Sequence, residues 1–214
     1  MTLPLAGAGR NLWIDCPTGL AGNMLLAGLL DLGVDQAVIE RPLHQLGLSH
    51  SYRLINEERQ SGGLRGRQVA LLEESPHHRH WGDLRLELEA SALEPALKQR
   101  VLAVFTLLAE VEGAVHGHPP ERVHFHEVGA VDALVDVVGV CAALLALGPD
   151  RVICGVPPAG HGQVTTAHGP LPVPVPAVLE LARQWTSGEP VRIRSICEAH
   201  GVPSRYLVQI LLQL

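Results

Sequence analysis

The sequence predicts a mixed α/β (α+β) fold, a small sheet packed by several helices, with a helical pair at the C-terminal end. Three observations carry that class. A short apolar run of strand length, Leu12-Trp13-Ile14-Asp15-Cys16, breaks at Pro17-Thr18-Gly19-Leu20-Ala21-Gly22 before a helix-like stretch. Tyr52 to Glu57 and Leu64 to Leu72 carry strand-like patterns on either side of Ser61-Gly62-Gly63. Pro95 to His116 and Ala130 to Leu147 are long segments with helical patterning.

Taken in order, the apolar run from Met24 to Leu32 is a helix ended by Gly33, and a second helix starts at Val34-Asp35 and runs through Leu46 to its stop at Gly47. The next two strands form a hairpin or an edge pair whose second half, with Arg65 and Arg67, is exposed. Ser75 to Trp81 is a polar linker without hydrophobic period. Helices follow at Leu84 to Leu93 and Pro95 to His116. After Val123 to Gly129 comes the apolar helix closed by Gly148-Pro149, and Arg151 to Val156 is a further strand. The Gly/Pro-rich run from Gly155 to Pro176 is too irregular for a regular element, and ordered loops of that kind tend to carry function.

With 16 Lys+Arg against 22 Asp+Glu the 214-residue chain has a net charge of −6, and 47% of it is hydrophobic. That composition supports a buried core and excludes wholesale disorder. The acidic balance argues against a generic nucleic-acid coat. No apolar run reaches the roughly 20 residues of a membrane-spanning helix. Cys16, Cys141, Cys154 and Cys197 show no CxxC spacing and no leader pattern opens the chain, which makes the cytoplasm the expected location. Cys16 and Cys154 read as small buried hydrophobes rather than nucleophiles. Histidine is the unusual component: nine of the 12 lie between His77 and His168.

Asp15, Gly19 and Gly22 frame a glycine loop between a strand end and a helix start, where free backbone N–H groups and the positive end of the helix dipole suit a phosphate or carboxylate. The alternative is a tight turn, with Asp15 capping the helix. His77, His78 and His80 put three imidazoles within four residues, a ligand set favoured by nickel or zinc, or else a solvated linker. Trp81 beside them is a core residue or hydrophobic anchor. In His124-Phe125-His126-Glu127 an extended backbone places His124 and His126 on one face and Phe125 on the other, with Glu127 available as a third ligand or base. Asp132 and Asp136 follow four apart, on one helix face, where they could orient those imidazoles or form only an acidic solvent stripe. His161-Gly162 and His168-Gly169 each set an imidazole before a glycine, which permits close backbone approach to a ligand. Pro170, Pro172, Pro174 and Pro176 alternate with apolar residues and favour an extended chain.

Together, Asp15-Cys16 with Gly19 and Gly22-Asn23-Met24, Ser61-Gly62-Gly63, the histidine-rich linker, the string from His124 to Asp132 and His168-Gly169-Pro170-Leu171-Pro172-Val173-Pro174 resemble the LarC family in order and approximate spacing, over about residues 11 to 182. The resemblance implies insertion of nickel into the pyridinium bisthiocarboxylate mononucleotide, a late step in making a nickel-pincer cofactor, with consumption of CTP and a divalent cation in full-length relatives. It implies Ni(II) held by His77, His78, His80, His124, His126, Glu127 and Asp132. It also implies a substrate site at Asp15, Gly19, Gly22, His161 and His168, and because insertion forms a carbon–nickel bond some base must accept a proton, for which His126 or Glu127 is the candidate.

The chain departs from the family pattern at Asn23, where relatives carry aspartate, and in its shorter linker. Residues 1–184 are expected to form the LarC-like portion, shortened relative to full-length relatives, and residues 185–214 resemble the helix-turn-helix of winged-helix regulators. The functional expectations are therefore a truncated nickel-inserting lyase, a non-catalytic nickel carrier working with a separate C-terminal partner, or a DNA-binding regulator, the last disfavoured because no complete recognition module is present. A homo-oligomer is left open.

Overall fold

Apolar residues spaced three and four apart draw the five helices found among the described residues around one connected interior. The computed structural model describes residues 10–17, 19–73, 79–116, 118–125, 131–155, 162–166 and 169–173. In chain order the elements are β1 (Asn11–Ile14), α1 (Gly22–Asp31), α2 (Gln36–Gln45), β2 (Tyr52–Ser61), β3 (Leu64–Glu73), β4 (Arg79–His80), α3 (Trp81–Ala90) and α4 (Pro95–His116). A 3₁₀ turn at Pro120–Arg122 then leads to β5 (His124–Phe125), α5 (Val131–Leu147), β6 (Arg151–Cys154), β7 (Gly162–Thr166) and β8 (Gly169–Val173). The mixed α/β class is the one the sequence predicts. Among the described residues the strands are shared among four two-stranded ladders: β1·β6 parallel, and β2·β3, β4·β5 and β7·β8 antiparallel. The expected C-terminal helix pair, residues 185–214, lies outside the described residues.

α5 is the central element. Val131, Leu134, Val135, Val138 and Ala142 are buried on it, against Leu26 and Leu30 of α1 and Ile39 and Leu43 of α2. Asp35 starts α2 as expected, its carboxylate accepting the Ala37 amide at 2.9 Å, and Glu94 does the same for α4 through the amides of Ala96 and Leu97. The β2·β3 hairpin packs on α1 through Val69, and exposed Arg65 spans the two elements in ion pairs with Asp31 and Glu58. No described helix is long and apolar enough to cross a membrane.

Two expectations are corrected. The linker ends earlier than its polarity suggests: Arg79–His80 is a strand, and α3 begins at Trp81, three residues ahead of the expected start. The reason is Trp81 itself. Its side chain is buried with Phe105 and Phe125, ring centroids 6.1 to 6.4 Å apart, and its amide donates to the Val123 carbonyl at 3.0 Å. Each such ring contributes about 1.5–3 kcal/mol by leaving water, which outweighs the weak local signal of the flanking histidines.

The second correction is the Gly/Pro-rich run, where Gly162–Thr166 and Gly169–Val173 form an antiparallel hairpin in place of an irregular loop. Pro170 and Pro172 fall two apart, so their missing N–H groups share one edge and leave the opposite edge of the strand free to pair. The period that reads as an extended connector is thus compatible with an edge strand.

Candidate functional site

The glycine loop joins the end of β1 to α1. Gly19 takes φ +111°, a backbone conformation that disfavours any side chain, and its amide donates to the Cys16 carbonyl at 3.2 Å to close the turn. α1 then starts with Ala21 as its cap residue, offering no side-chain hydrogen bond, and with no acidic residue in its first turn. Asp15 therefore does not cap this helix. Among the described residues no side-chain cap serves the N-terminal amides of α1.

What stands against them is Asp136. A Cβ built on Gly22 would collide with the Asp136 carboxylate, so only glycine at position 22 lets α5 bring this acid against the head of α1. Burial, reinforced by the charge of Asp132 one turn away, pushes the Asp136 carboxyl up to about 6. Asp132 is exposed, and its Oδ1 accepts the Ala133 amide at 2.7 Å. The i, i+4 pairing expected from sequence is present.

Asp132, Asp136, Val140 and Leu144 follow at four-residue steps and so form one stripe about 18 Å long down α5. Val140 and Leu144 wall a cavity of about 390 Å³ with Asp15, Cys16, Gly19 and Leu25, mostly apolar and of the size that takes a small organic ligand. The same helix face thus carries carboxylates at one end and cavity wall at the other. Trp13, 64% exposed, stands at the cavity on β1.

The second group forms at β4·β5. In that ladder Arg79 partners Phe125 and His80 partners His124. Directly opposed residues of an antiparallel pair are cross-strand neighbours, so the register sets positions 80 and 124 side by side. Phe125 is buried, as its expected inward face requires, and His80 is exposed. The ladder therefore joins the histidine-rich linker to the His124 string, a juxtaposition across more than 40 residues that no local pattern announces.

Among the described residues no group of three or more His, Cys, Asp or Glu is gathered for a metal ion. His77, His78, His126, Glu127, His161 and His168 lie outside the described residues. Asp15, Gly19, Gly22, His80, His124 and Asp132 lie within them. Cys154, expected to be buried, is exposed at the end of β6, where it meets Cys16. No local signal in the sequence links that pair, since 137 residues lie between the two thiols.

A family model described as nickel insertion protein matches residues 12–199. The chain belongs to the nickel insertion family. It is similar to a protein of Akkermansia muciniphila named pyridinium-3,5-bisthiocarboxylic acid mononucleotide nickel insertion protein, 42% identical over 185 residues, which cover 82% of this chain and 46% of that one. It is also similar to provisionally named nickel insertion proteins of Synechococcus elongatus, 47% identical over 171 residues with 79% and 42% of the two chains covered. The one from Geobacter metallireducens is 48% identical over 174 residues, with 80% and 45% covered. The chain spans less than half the length of these relatives of the nickel insertion family. No solved structure matches it.

Proposed function

We propose that this chain is the nickel-handling portion of a nickel insertion protein acting on the pyridinium bisthiocarboxylate mononucleotide, with Ni(II) as the ion delivered rather than a resident cofactor. The observation that carries the reading is the pairing of His80 with His124 in one ladder, within a chain of this family. Imidazole suits Ni(II), and two of them leave coordination positions for further donors. His77, His78, His126, Glu127 and Asp132 are the candidates for those positions. The thiocarboxylate sulfurs of the substrate complete the ion's surroundings as it leaves the protein.

The mononucleotide is assigned to the loop and cavity at Asp15, Gly19 and Gly22, with His161 and His168 as further contacts. The apolar wall suits a pyridinium ring, and glycine amides suit a phosphate. Insertion exchanges a ring C–H bond for a carbon–nickel bond, so a base must take the proton. His126 or Glu127 is proposed for it.

A second reading is favoured by the coverage of the relatives: the chain holds nickel and binds substrate, while CTP-dependent turnover with its divalent cation requires a separate partner equivalent to the remainder of those proteins. The experiment is calorimetric titration of Ni(II) into the protein and into the His80→Ala, His124→Ala variant, followed by incubation with mononucleotide and CTP and mass analysis for the nickel adduct. Tight binding lost in the variant supports the nickel site. Adduct formed by the chain alone supports insertion, and adduct formed only with the partner supports the carrier. Equal affinity in variant and parent removes the site.

A further inference from the structure

Cys16 and Cys154 stand at the C-terminal ends of the two parallel strands, where the register pairs Ile14 with Cys154 and the chain beyond Ile14 turns into the glycine loop. Both are free thiols, Cys16 buried and Cys154 exposed. The Cys16 thiol donates to the Gly155 carbonyl at 3.9 Å, and the Cys154 thiol lies within hydrogen-bonding reach of Cys16. Cys16 also lines the cavity.

We propose that Cys16 and Cys154 close a reversible disulfide that ties the start of the glycine loop to the end of β6 and so makes the shape of the cavity responsive to oxidants. The Cys16 sulfur already lies 3.9 Å from the carbonyl of Gly155, the residue next to Cys154, so a local shift of the two loop ends brings the sulfurs to the S–S bond length of about 2.0 Å. The oxidant is a peroxide. Cys154, the thiol that solvent reaches, attacks one peroxide oxygen; the O–O bond breaks, the sulfur becomes a sulfenic acid and the other oxygen leaves as water. The Cys16 sulfur then displaces the hydroxyl group from that sulfur, forming the S–S bond and releasing a second water. Two thiols and one hydrogen peroxide give one disulfide and two waters. Burial, with the hydrogen bond and charge of Cys16, raises the Cys154 thiol above its ordinary range, so the reaction quickens as pH rises.

The test is to treat the whole chain with hydrogen peroxide, block remaining thiols, and map peptides by mass without reduction. The expected result is a peptide pair joining Cys16 to Cys154, lost on adding a reducing thiol, together with a shift in Trp13 emission that Cys154→Ser abolishes. Trp13→Phe identifies the emission of that residue among the three tryptophans. Cys154 is exposed, so its serine variant keeps the fold even if Cys16→Ser does not. Full alkylation of both cysteines after peroxide overturns the proposal, as does oxidation of Cys154 alone or its linking between molecules. A disulfide with no change in Trp13 emission overturns the coupling to the cavity. None of these readouts involves nickel.

Discussion

Gly22 at the head of α1 and Asp136 on α5 contend for the same space: a single methyl group on the glycine would enter the carboxylate of the acid. The arrangement brings a negative group to the positive end of a helix whose cap residue, Ala21, offers no side-chain hydrogen bond. It also means that any phosphate entering the glycine loop meets a neighbouring acid whose charge depends on pH.

Gly22→Ala is therefore expected to destabilise the chain by about 1–3 kcal/mol through overpacking, and Asp136→Ala in the same chain to recover much of that loss. Urea denaturation of the two single variants and the double variant measures it. A Gly22→Ala protein as stable as the parent would show that the close approach does not exist.

Asp136 also sets a pH dependence of the nickel-free protein. Its carboxyl is raised from 3.8 to about 6 by burial and by Asp132, so between those values the folded chain binds more protons than the unfolded one. Stability from this group falls as pH climbs through that window and is lowest above it. Because part of the carboxylate still meets water, which screens it, the change is on the order of 1 kcal/mol rather than the full pKa difference. Asp136→Asn is expected to flatten the slope between pH 4 and about 6 and to leave the protein more stable at neutral pH, as thermal melts across that range would record.

If His80 and His124 grip one ion, their effects on nickel affinity are not additive. His80→Ala and His124→Ala each lower the affinity about tenfold or more, and the double variant loses less than the sum of the two. Calorimetry on all four proteins decides this, and strict additivity would mean two independent sites.

Tyr52 buries its hydroxyl without a hydrogen-bond partner among the described residues. An unsatisfied donor of that kind costs about 1–3 kcal/mol, so Tyr52→Phe is expected to stabilise the hairpin end of the fold or leave it unchanged. A clear loss of stability on chemical denaturation would reveal an unseen partner for the oxygen.

The sequence announces what depends on neighbours along the chain. The break from strand to glycine loop to helix at Cys16 to Met24 shows in composition, as do the Ser61-Gly62-Gly63 turn and the apolar period of α5, because each is enforced within one or two turns of backbone. The mates of those elements do not show. His80 meets His124 because Trp81 and Phe125 need the same interior, and Gly22 meets Asp136 because α1 and α5 cross there. Both are tertiary facts without local signature. The β7·β8 hairpin escapes notice for a different reason, since its prolines obscure the ordinary strand composition.

Val123 and Phe125 are both buried, with His124 between them. This strand tolerates no single-residue insertion or deletion, since a slip by one would take the Phe125 ring away from Trp81 and Phe105. Length changes in natural variants should therefore spare this stretch.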